Sequence, residues 1–204
     1  MTLLAAPIAV PVSMWAVFGA LSRRLPPRAA YNVGFVAYWA GWCVGFPLWV
    51  LGPRRAGRVL AAGRRPSAAE LALLTLPVAG AAATQLLPMR RQVDPGVAAV
   101  MVGTAVVNAV GEELLWRGVY LEELGDDVVR GAVWPLVGFA AWHLAPQRIL
   151  PAAVGRWNFA AGAALVGAAS TRSAWRERGL RTALLAHVLT DACGVTAARF
   201  RLGR

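Results

Sequence analysis

Three short polar clusters interrupt stretches of this chain that are otherwise apolar: Glu112-Glu113-Leu114-Leu115-Trp116-Arg117, Phe139-Ala140-Ala141-Trp142-His143 and His187-Val188-Leu189-Thr190-Asp191. The chain has two histidines, and both belong to these clusters. Their residue types are those of hydrolytic chemistry: a carboxylate to take a proton from water, imidazoles to share or guide it, and a polar group to meet a developing negative charge. Carrying an ionisable side chain into the hydrocarbon region of a bilayer costs roughly 2.5–3.5 kcal/mol on insertion scales. A chain that does so in three separate helices is expected to bring those groups together, and their meeting point is the expected functional site.

The glutamates divide the work. Residues four apart share a helix face, so Glu113 and Arg117 are placed to form an ion pair. Consecutive residues are about 100° apart around the axis, so Glu112 points elsewhere and has no partner on its own helix. Burial without a counter-ion disfavours the charged form of a carboxylate, which suits Glu112 to act as a base toward water. The competing reading is that both glutamates only brace helices. His143 and His187 lie in different apolar spans. Counted at about 1.5 Å per residue from the membrane face near residue 126, Glu112 lies about 20 Å deep, His143 about 25 Å and His187 about 13 Å. One cavity near mid-membrane is therefore within reach of all three once helix tilt is allowed for. Asp191 follows His187 by one turn on the same face, where it can orient the imidazole or help bind an oxyanion. An ionised acid opposes a developing oxyanion, so a protonated or orienting role fits it better. Phe139, one turn before His143, is a packing support for that ring or an ordinary apolar contact.

The elements that carry these residues are membrane helices. The chain is 58% hydrophobic and 15% charged, with mean hydropathy +0.53. Stretches of the ~20 apolar residues that cross a bilayer recur from end to end, at about 2–21, 31–52, 67–88, 96–124, 129–147, 150–170 and 179–198. The expected fold is all-α: a polytopic transmembrane helix bundle of about seven (six to eight) spans. It forms a single membrane domain over 1–204, with the catalytic helices in about 96–198. The opening segment, apolar from Leu3 to Leu21 without a preceding basic residue, reads as a retained span rather than a cleaved signal. Pro26-Pro27, Gly52-Pro53, Pro88 and Asp94-Pro95 mark turns between spans. Gly41-x-x-x-Gly45 and the face of Ala160, Ala164 and Ala168 read as close helix packing. Cys43 and Cys193 have no ligand-like spacing.

All 21 basic residues are arginine, for a net charge of +11. In a soluble protein that charge would raise nucleic-acid binding. Here the arginines crowd the loops, where they meet lipid head groups and set topology, and no nucleic-acid partner is expected. The two sets of loops carry about ten arginines each, so the positive-inside rule gives no orientation. Arginine without lysine also suggests a GC-rich bacterial genome.

In type and order the three clusters resemble the CPBP family, the CAAX-protease and bacteriocin-processing membrane proteins also called Abi or type II CAAX prenyl endopeptidase-like. That family's pattern is EExxxR, FxxxH and HxxxN or a close variant. This chain has Glu112-Glu113-x-x-x-Arg117, Phe139-x-x-x-His143 and His187-x-x-x-Asp191. The resemblance covers roughly residues 105–195. It implies an intramembrane endopeptidase, multi-pass in the cell membrane, that hydrolyses a peptide bond of a membrane-associated protein or peptide without a cofactor. Glu112 would be the catalytic glutamate, with His143 helping to activate the water. His187 and Asp191 would stabilise the tetrahedral intermediate, and Glu113 and Arg117 would form the supporting ion pair. Asp191 stands where asparagine is common, which puts its oxyanion role, not the family, in question.

Two other readings use the same residues. In a metalloprotease, Glu112, His143 and His187 would hold zinc and leave one position open, although no HExxH spacing is present. In a non-catalytic immunity or scaffold protein of the same fold, loss of one of those three residues is expected, and all are retained. An ion or proton pathway would string polar groups along the bundle rather than gather them into one cluster.

Overall fold

A segment that crosses lipid alone must satisfy its own backbone hydrogen bonds, which a helix does without help. A computed structural model of the chain describes residues 3–201, with side chains described for residues 3–194. The described residues form helices and no strand. In order, α1 spans Leu3–Leu21, α2 Pro27–Ala61, α3 Ala68–Gln92, α4 Pro95–Leu124, α5 Val128–Arg148, α6 Arg156–Glu177 and α7 Arg181–Arg201. The first five are long and apolar enough to cross a membrane. The last two have the length (22 and 21 residues) but carry more polar residues, among them Asn158, Arg172 and Glu177 in α6 and His187 and Asp191 in α7. Thr2 in the expected first span, and the side chains of residues 195–198 in the seventh, lie outside the described residues.

Proline shapes several of these helices. Asp94 caps α4, its side chain accepting from Val97 N–H at 2.8 Å with Pro95 in the first turn. Gly52, at φ 70°, breaks α2 ahead of Pro53 as the sequence indicated, and the chain then continues as a short helical arm. Pro88 behaves differently: α3 runs past it to Gln92. A π-helical turn at Ala82–Leu86 widens the backbone just ahead of that ring. The same device precedes Pro47, at Tyr38–Gly45, and Pro135, at Val128–Val133. An extra residue in the turn relieves the clash between a proline ring and the carbonyl behind it. The fourth π turn, Leu114–Gly118, has no proline after it and follows Glu113 directly. Such turns recur at functional sites.

Close packing falls on other small residues than those expected. A Cβ at Gly41 would meet nothing within 4 Å, because Gly41 and Gly45 line an open apolar groove of about 500 Å³ with Ser13, Trp42, Phe46 and Trp49. On α6, Ala160 is buried but Ala168 is exposed. The tight contact there is Gly167, where a Cβ would come within 2.7 Å of the Phe139 ring. α1 packs against α5 and buries Ala6, Val10, Met14 and Phe18, with Phe18 on the Trp142 ring. The contact is closest at Gly138, where a Cβ would meet Pro7 at 2.7 Å.

Candidate active site

Five helices send side chains to one buried cluster. α4 supplies Asn108, Glu112, Glu113, Trp116 and Arg117, each at most four residues from the next. α2 supplies Tyr38 and Trp39, α5 Phe139, Trp142 and His143, α6 Thr171 and the Gly167 carbonyl, and α7 His187 and Asp191. Glu112, Glu113 and Arg117 are 2%, 0% and 1% exposed and His187 is 8%. His143 and Asp191 are half-buried, so the cluster is most open on their side.

The expected ion pair is present. Arg117 Nη1 lies 3.2 Å from Glu113 Oε1. The guanidinium also donates to Thr171 Oγ1 and to the Gly167 carbonyl, both at 3.4 Å, and stands 4.2 Å over the Phe139 ring. Glu113 has a second partner that the helical spacing did not show: His187 Nδ1 meets its Oε1 at 2.8 Å. Since Glu113 can only accept when ionised, Nδ1 carries a proton there.

Glu112 points away from Arg117. Its Oε1 accepts from Tyr38 O–H at 3.0 Å and from Trp142 Nε1–H at 2.8 Å, while Oε2 lies 3.5 Å from His187 Nε2. The same Nε2 is 3.6 Å from Asp191 Oδ2. Asp191 accepts from Asn108 Nδ2–H at 2.8 Å, and Asn108 Oδ1 accepts from Trp39 Nε1–H at 2.8 Å. The indole contact fixes which end of the Asn108 amide faces Asp191, because indole N–H only donates.

The structure therefore gathers Glu112, Glu113, Arg117, His187 and Asp191 directly. His143 joins less closely. Its Nδ1 is 2.7 Å from the Phe139 carbonyl of its own helix, which makes Nδ1 the protonated nitrogen and leaves Nε2 as an acceptor. The ring packs edge-on to Phe139, with centroids 4.6 Å apart. The hydrogen bond from α5 to Glu112 comes instead from the adjacent Trp142. Phe139 supports both His143 and Arg117, more than the sequence suggested.

The zinc reading needs donors gathered at one point. Among the described residues, no group of three or more His, Cys, Asp or Glu side chains is arranged to hold a metal ion, so Glu112, His143 and His187 do not form that set.

Sequence reasoning missed Tyr38, Trp39, Asn108, Trp116 and Trp142. Asn108 carried a signal, being four residues before Glu112 on the same face of an apolar helix. The aromatic residues carried none, because in a chain with nine tryptophans a membrane aromatic reads first as an interface anchor.

Residues 94–193 match the family model described as type II CAAX prenyl endopeptidase Rce1-like. That segment runs from the cap of α4 into α7 and holds all three polar clusters. No curated protein and no solved structure matches the chain.

Proposed function

The chain belongs to the type II CAAX prenyl endopeptidase Rce1-like family, and on that premise we propose that it is a cell-membrane endopeptidase acting within the bilayer. Its substrate is a membrane-associated protein or peptide, and Glu112 is the base that activates water. The observation that carries this reading is the convergence of Glu112 and Asp191 on one nitrogen of the buried His187, at 3.5 and 3.6 Å.

In this mechanism a water molecule lies against Glu112 Oε2, the oxygen not taken by Tyr38 and Trp142. Oε2 takes a water proton as the water oxygen attacks the scissile carbonyl carbon. His143 Nε2, free to accept, holds the second water proton in line. The carbonyl oxygen becomes an oxyanion, and His187 meets it through Nε2–H while Nδ1–H stays on Glu113. Collapse of the intermediate breaks the C–N bond, and Glu112 returns its proton to the departing amine. Arg117 neutralises Glu113, so the carboxylate that holds His187 is itself paired in a buried site.

The test uses the purified full chain in proteoliposomes with a library of membrane peptides that includes farnesylated peptides ending in CAAX. Glu112→Gln is expected to abolish cleavage while the protein remains folded. Activity retained within about tenfold, only ~1.4 kcal/mol of barrier, would show that Glu112 is not the base. Cleavage is expected to survive exhaustive chelation. Activity lost on chelation and restored only by returning zinc would favour the metalloprotease reading.

A further inference from the structure

Glu112 has a partner from outside the segment that matches the family. Tyr38, on the π-helical stretch of α2, is fully buried, and its hydroxyl lies 3.0 Å from Glu112 Oε1. The direction of that hydroxyl is determined by its other neighbour. Trp116 Nε1–H donates to the phenolic oxygen at 2.9 Å, which leaves the phenolic proton for Glu112. The nearby Cys43 sulfur is a weak acceptor beside a carboxylate.

The same oxygen of Glu112 takes Trp142 Nε1–H at 2.8 Å. The Trp142 indole is stacked on the Tyr38 ring, with centroids 3.6 Å apart and planes 18° from parallel. The two donors thus come from a single aromatic stack and fix Oε1 from two directions. A carboxylate anchored by one oxygen cannot turn without breaking both bonds, so Oε2 is kept toward His187 Nε2. We propose that Tyr38, oriented by Trp116, is a positioning residue that holds Glu112 with Oε2 presented to the attacking water. This rests on Glu112 being the base. It assigns to the N-terminal helices a part in the chemistry beyond packing.

A packing role alone would need only the phenyl ring, which Tyr38→Phe keeps together with the stack on Trp142. The experiment measures kcat and KM per folded molecule on a fluorogenic farnesylated CAAX peptide, using full-length protein in proteoliposomes. For Tyr38→Phe, kcat is expected to fall about 10- to 100-fold, the range for losing a hydrogen bond to a charged group. KM is expected to stay within about twofold, since no substrate contact is removed. Trp116→Phe, which frees the hydroxyl to turn away, is expected to lower kcat less. The double variant should match Tyr38→Phe, because both act through one hydroxyl. Glu112-dependent cleavage with Tyr38→Phe kcat within about twofold of the parent overturns the positioning role and leaves the functional reading intact. If Tyr38→Phe does not fold, an unchanged kcat for Trp116→Phe overturns it equally. A parent chain that leaves the peptide intact, or cleaves it as well as Glu112→Gln does, overturns the functional reading and this inference with it.

Discussion

Asp191 is held as an acceptor. Asn108 donates to its Oδ2 from one side, and Trp39 prevents the Asn108 amide from turning over to offer its oxygen instead. Asparagine at this position still has a carbonyl oxygen to give Asn108 and gains an N–H₂ group, while losing a negative charge beside a developing oxyanion. Asp191→Asn is therefore expected to retain or raise the rate of peptide cleavage. Asp191→Leu is expected to lose most of it and to leave the Asn108 amide without an acceptor. Kinetic comparison of the two variants decides the matter. Equal losses would mean that the carboxylate itself is required, as an orienting or charging partner of His187 at 3.6 Å. Asp191 and His187 stood out in the sequence because ionisable groups in apolar helices are costly. Their partners were harder to read. Tyr38 and Trp142 donate hydrogen bonds that depend on how helices far apart in sequence pack, and no spacing within one helix records that.

At the scale of helices, hydropathy located the seven long segments, since apolar length is what a bilayer demands, but it ended the second nine residues short of Ala61 and set the sixth six to seven residues ahead of Arg156–Glu177. It did not show how prolines inside them are accommodated. The π turns at Tyr38–Gly45, Ala82–Leu86 and Val128–Val133 follow from prolines just downstream, and the first of them also carries Tyr38 and Trp39. Nor did the small-residue spacings reveal which glycines meet a neighbour. Gly41 opens onto a groove, whereas Gly138 has the Pro7 backbone where its Cβ would be. That contact sets the distance between α1 and α5, the helix that carries Trp142 and His143. Phe18 of α1 also packs on Trp142, with ring centroids 6.1 Å apart. Gly138→Val must push α1 away, and overpacking of this kind typically costs about 1–3 kcal/mol. A lower thermal midpoint in detergent is expected, with reduced cleavage as Trp142 moves off Glu112. An unchanged midpoint would show that α1 yields without strain.

In the molecule as a whole, two links besides the packing of α1 on α5 join helices outside the family match to those within it. Deep in the bundle the link is Tyr38 and Trp39 on Glu112 and Asn108. At one end it is a clasp between the chain leaving α2 and the α6–α7 turn. Leu180 N–H donates to the Val59 carbonyl at 3.0 Å, Arg181 N–H to Ala62 at 3.1 Å, and Arg64 N–H to Glu177 at 2.9 Å. Gly179 sits inside this clasp, where a Cβ would come within 2.3 Å of the Ala62 carbonyl group. Backbone cannot swing aside as a side chain can, so any larger residue there must separate the two segments of the clasp. α7 begins two residues later, and its first two turns place His187. Gly179→Val is therefore expected to lower the thermal midpoint and to cut cleavage at least tenfold, the effect of about 1.4 kcal/mol of barrier. Gly162→Ala, on the open face of α6 with nothing within 4 Å of the added carbon, is the matched control and is expected to change neither. If Gly179→Val melts and cleaves like the parent, the clasp does not set the position of α7. The alignment of His187 with Glu112 and Glu113 would then depend on contacts deeper in the bundle alone.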